Sequence, residues 1–270
     1  MVLPLRDDNP TSRTAVVTIA LIAINIFVYF VVQPHNGTDA AQSYLYAHAA
    51  IPCELSTRQP VTAADVATGR CDINQSVIVN TPTGPQQVPG TPLFPHKNVY
   101  LAILISMFLH GSILHVLGNM LFLWVFGNNV EDRLGPFFYL IFYLGTGVIA
   151  GLSFILLNLH SVTPIVGASG AIAGVMGAYL IWFPRARVLT ILGFFPLYLP
   201  AVVVLGLWFV LQFFTNPNEG VAWQAHVGGF LAGALIALLL KPFFGPRRPR
   251  AAIPGDDWGG GFRGGYPGRT

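Results

Sequence analysis

Apolar residues gather in six long runs along this chain, at about residues 14–32, 112–128, 137–157, 170–183, 199–215 and 221–243. A helix needs about 20 predominantly apolar residues to cross about 30 Å of hydrocarbon, and most of the runs approach that length. A seventh run, Val99 to His110, is too short to span at about 12 residues. It predicts an interfacial or re-entrant helix feeding the second span. The pattern predicts an all-α, polytopic membrane protein: a six-transmembrane-helix bundle over residues 14–243. Around it lie a short N-terminus (1–13), a long loop (33–98) and a Gly-, Pro- and Arg-rich tail (244–270) that reads as disordered, its arginines resting on anionic lipid.

Composition strengthens the membrane reading. Of 270 residues, 53% are hydrophobic and 9% charged, where a soluble domain carries about 25% charged residues. Mean hydropathy is +0.61. Six spans put both termini on one side of the membrane. Eleven lysines and arginines fall on that side against three (Arg58, Arg70, Lys97) on the other. Positive residues favour the cytoplasm, so both termini are expected there, in a multi-pass protein of the cell membrane. The net charge of +3 then reflects topology, and nucleic acid is not an expected partner. The first run, Ala15 to Val32, exceeds the 7–15 residues of a signal-peptide core and predicts an uncleaved anchor. Both cysteines, Cys53 and Cys71, sit in the 33–98 loop on the oxidising side. They allow a disulfide worth about 3 kcal/mol to that loop; two free thiols are the alternative.

Candidate chemistry emerges from depth. The fourth run is about 14 residues, or about 21 Å of helix, too short to cross. With Pro184 and Arg185 at the inner boundary, its start is sunk about 9 Å below the outer one, and Ser169 sits at that start. His226 lies at a similar depth on the sixth run, and His115 with Asn119 on one face of the second. Taken singly, a serine in Gly167-Ala168-Ser169-Gly170 reads as helix packing, and a membrane asparagine as interhelical glue. Their shared level points to a serine nucleophile, His226 as its base, and His115 and Asn119 as oxyanion donors beside the free N–H groups of a helix start. No carboxylate lies at that depth, so a Ser-His dyad is expected rather than a triad. The zinc-protease string His-Glu-x-x-His does not occur, and Gly-x-Ser-x-Gly fails at Ala171. Neither a metal nor another cofactor is expected. A solute pathway also places polar residues in a membrane and stays open as an alternative.

The ordered motifs His110-Gly111-Ser112-Ile113-Leu114-His115-Val116-Leu117-Gly118-Asn119, Glu131-Asp132-Arg133-Leu134-Gly135, Gly167-Ala168-Ser169-Gly170 and Ala225-His226-Val227-Gly228-Gly229 resemble those of rhomboid intramembrane serine proteases. The resemblance covers residues 14–243. It implies Ser169 as nucleophile, His226 as base, His115 and Asn119 in the oxyanion hole, and His110 in a structural role near the mouth. It implies transmembrane proteins as substrates, and leaves a catalytically inactive, client-binding relative as the alternative. Two features depart from the family. The 33–98 loop lacks tryptophan, and Ala173 stands where many members carry an aromatic ring stacked on the catalytic imidazole.

Overall fold

The computed structural model describes residues 2–35, 39–72, 74–193, 195–215 and 221–244. The tail beyond residue 244 lies outside them. In chain order the elements are β1 (Val2–Asp7), α1 (Val16–Phe27, continued by a π-helical turn to Val32), α2 (Asp39–His48), α3 (Pro52–Thr57) and α4 (Ala63–Thr68). A hairpin, β2 (Val77–Thr81) and β3 (Gly84–Val88), precedes α5 (Leu101–Ser106), α6 (Ile113–Leu134), α7 (Pro136–Leu157) and α8 (Ser169–Trp182). The chain continues through β4 (Arg187–Leu192), β5 (Phe195–Pro200), α9 (Ala201–Gln212) and α10 (Trp223–Leu240). Three helices, α6, α7 and α10, are long and apolar enough to cross a membrane. The helix from Val16 to Val32, α8 and α9 are apolar but shorter.

The all-α expectation needs correction. β1 pairs antiparallel with β4, and β4 with β5, in a three-stranded sheet at the end of the bundle where α8 terminates. Two of these strands, β4 and β5, carry the chain from α8 into α9, and Pro200, which has no backbone N–H to donate, ends β5 just before the first turn of α9. The 33–98 loop likewise holds three short helices and the β2–β3 hairpin. The short run 99–110 contributes only the six-residue α5 and a following turn.

Glu131-Asp132-Arg133 occupies the last turn of α6 rather than a loop. Glu131 accepts from the backbone N–H of Val17 (2.9 Å) and Thr18 (2.7 Å) and from the Thr18 hydroxyl (2.8 Å). Helix α1 lacks a capping side chain of its own, so this carboxylate supplies partners for its free N–H groups. Asp132 does the same for Ser12, and the Arg133 guanidinium lies 5.0 Å from the Trp182 ring centroid. Gly135, at φ 81°, makes the tight corner into α7, and Pro136 fits the first turn of that helix.

The centre of the bundle is the seam between α8 and α10. A Cβ on Gly229 or Gly233 would collide with the backbone of Gly170 or Gly174, and one on Gly177 with the carbonyl of Phe230. Small residues thus let the two backbones touch, which no larger side chain permits. Gly170 and Gly174 face α7 as well, against Ala150 and Thr146. At the far end, the Trp182 indole N–H donates to the Ala237 carbonyl (3.0 Å) and locks the register.

Candidate active site

One end of the bundle gathers the start of α6, the start of α8, the end of α9 and the start of α10. Ser169 is the first residue of α8, so the leading N–H groups of that helix have no intrahelical acceptor. Gly167 precedes it at φ 119°, a region open to glycine but costly for other residues. A Cβ there would also stand 2.8 Å from the His115 ring and 3.5 Å from Ser169 Oγ. The His115 imidazole therefore lies along the backbone next to the serine. Its own position follows from Ser112, whose hydroxyl accepts from the His115 N–H (3.2 Å) and caps α6.

His226, in the first turn of α10, reaches across the seam. Its Nε2 lies 2.9 Å from Ser169 Oγ. Its Nδ1 lies 2.7 Å from Oε1 of Gln212, the last residue of α9. The Trp208 ring, one turn earlier on α9, sits against the imidazole with centroids 5.8 Å apart and planes tilted by 38°. This aromatic stands in for the one absent at Ala173, which is fully buried in the core. Sequence reasoning missed both α9 residues. The one signal on offer was Gln212 itself, a lone amide in an otherwise apolar helix.

Asn119 is brought to a different partner. Its Nδ2 lies 3.0 Å from Nε2 of the fully buried His110, whose ring is 5.1 Å from that of His115. The His110 backbone is held on both sides by the amide of Gln33, at the end of the first helix. Ser169 and His226 thus meet directly, His115 stands beside them, and Asn119 is hydrogen-bonded to His110, whose ring meets that of His115 edge to face.

The loop before Ser169 is fixed from outside the bundle. Ile165 N–H donates to Ala50 O (2.9 Å), Cys53 N–H to Ser161 O (3.0 Å), and the Ser56 hydroxyl to Leu159 O (3.0 Å). Ser106 completes the bracket, its carbonyl accepting from Gly167 N–H and its hydroxyl from Ala50 N–H. Cys53 is joined to Cys71 with an S–S distance of 2.09 Å. Nearby, Lys97 and Glu54 form a buried ion pair at 2.7 Å. Burial pushes the Glu54 carboxyl up and the Lys97 ammonium down, and each partner's charge opposes that shift. Between the bracket and Ser169 lies a cavity of about 30 Å³, room for a single water. It is lined by Ile103, Met107, Gly147, Ala150, Val166 and Gly170.

Residues 97–243 match the model of the Rhomboid domain. The chain belongs to the rhomboid family. It is 32% identical over 153 residues to RHOMBOID-like protein 5 of Arabidopsis thaliana, covering 56% of this chain and 48% of that protein. It is 28% identical over 176 residues to the mitochondrial Rhomboid protein 1 of Saccharomyces cerevisiae, covering 58% and 47%. To the Rhomboid protease GlpG of Yersinia pestis it is 32% identical over 130 residues, covering 48% and 44%. The chain spans about half the length of the curated relatives it matches.

Proposed function

We propose that the chain is an intramembrane serine endopeptidase that cleaves the transmembrane segments of other membrane proteins near their outer ends. The observation that carries this reading is the 2.9 Å approach of His226 Nε2 to Ser169 Oγ at the sunken start of a short helix. Similarity to a protein named as a rhomboid protease supports it.

In the proposed reaction His226 Nε2 takes the hydroxyl proton as Ser169 Oγ attacks the scissile carbonyl. The resulting oxyanion faces the free N–H groups of α8, with His115 and Asn119 as further donors. One amide hydrogen of Asn119 serves His110; the second is the one assigned to the oxyanion. The imidazolium then returns its proton to the leaving amine, and water hydrolyses the acyl-enzyme by the same steps reversed. In this reading six helices span the cell membrane, both termini are cytoplasmic, and the site opens towards the outer face.

The test is covalent labelling. Detergent-purified protein treated with a fluorophosphonate is expected to carry the label on Ser169, and Ser169→Ala to carry none. Wild type reconstituted with a transmembrane substrate is expected to cleave it, and His226→Ala to leave it intact. An unlabelled, inert wild type that still retains membrane clients would replace this reading with that of an inactive, client-binding rhomboid.

A further inference from the structure

We propose that Gln212 is a positioning residue for the catalytic base, holding His226 in the tautomer and orientation that activate Ser169. The proposal rests on the reading of Ser169 and His226 as nucleophile and base.

Gln212 is buried at 8% exposure, and both ends of its amide are engaged. Its Nε2 donates to the Trp208 carbonyl at 2.9 Å. A carbonyl only accepts, so the amide nitrogen must point there and Oε1 must point the other way, at His226 Nδ1. An amide oxygen accepts as well, so Nδ1 must carry the proton. A neutral imidazole holds one N–H, which leaves Nε2 with its lone pair. That lone pair faces Ser169 Oγ at 2.9 Å. The direction of every hydrogen in the chain from Trp208 O to Ser169 Oγ thus follows from one acceptor-only group on α9. Trp208 adds a flat wall against the ring, so one turn of α9 sets both the proton and the plane of the imidazole. When the serine proton reaches Nε2, the Gln212 oxygen remains at Nδ1 to face the new positive charge.

The test uses the full chain in detergent micelles, with ¹⁵N-labelled histidine and with His226→Asn to assign the signal. Wild type is expected to show His226 as the Nδ1–H tautomer. Gln212→Met removes the acceptor at nearly equal volume and is expected to abolish that preference. It should lower kcat by about 10–100-fold, the same order as losing the partner that orients a metal-ligating histidine. KM should stay within about twofold, because Gln212 acts on the base. Gln212→Glu keeps an acceptor in reach and is expected to recover most of kcat and the Nδ1–H signal. A folded Gln212→Met protein with wild-type kcat and an unchanged His226 signal would overturn the proposal. If the wild type cleaves nothing, the protease reading fails separately, while the tautomer comparison still decides whether Gln212 orients the ring.

Discussion

Replacing Gly233 by alanine puts the α8–α10 seam to a direct test. The added Cβ would fall against the carbonyl of Gly174, which is backbone and cannot rotate aside. Ordinary contact begins at 3.4 Å, so the helices would have to part by about an ångström or more. Overfilling a packed interface costs about 1–3 kcal/mol, and that cost is expected as a lower melting temperature. The strain reaches the site as well. Gly233 and Gly174 lie two turns or fewer from His226 and Ser169 on the same two helices, so parting the seam lengthens the 2.9 Å contact. A misplacement of about 1 Å costs on the order of 100-fold in rate. Gly206→Ala, on α9, is the control. No atom lies within 4 Å of its added Cβ, so the change should be neutral or stabilise by up to about 1 kcal/mol. Thermal unfolding in detergent reads the first effect, and the rate of fluorophosphonate labelling at Ser169 reads the second. A Gly233→Ala protein that melts and labels like wild type would refute the packing argument.

Two further predictions concern the ends of the bundle. Lys97→Met strands Glu54 as a buried, unpaired charge and is expected to cost about 3–5 kcal/mol, whereas Glu54→Leu combined with Lys97→Met should restore most of the loss; melting temperatures of the single and double variants check this. At the opposite end Asp7 Oδ2 accepts from Tyr179 Oη and Asn129 Nδ2, each at 2.6 Å. Burial raises its carboxyl from 3.8 to about 6, so the native state holds a proton there that the unfolded chain has released. Stability from this group is present at low pH and lost as pH rises from about 4 to 6. Asp7→Asn should remove that dependence and melt higher than wild type at pH 7.5. Parallel melting curves for the two proteins across that range would count against the assignment.

All six long apolar runs hold helices because length is a local signal, whereas the shorter apolar segments Arg187–Leu192 and Phe195–Pro200 pair as strands. Ser169, His226 and His115 were legible for a related reason, since depth along a helix follows from residue count. What escaped depended on distant pairing. The segments at Val2–Asp7 and Arg187–Leu192 pair across more than 180 residues, and no local pattern announces such a ladder. Gln212 and Trp208 became visible only once the rotation of α9 about its own axis was known. Gln33 and Ser106 act through backbone groups of distant residues, which sequence does not display. Glu131, in the last turn of α6, completes the start of α1 from more than 110 residues away, which no local pattern displays.

The long separation between β1 and β4 has a consequence for the order of assembly. β1 precedes its partner β4 by about 185 residues. At about 5–20 residues per second, that is a delay of roughly 10–40 s during synthesis. β1 must therefore wait for its partner until the eighth helix has been delivered, and the sheet closes only afterwards. The α8–α10 seam waits longer still, for α10 at residues Trp223–Leu240.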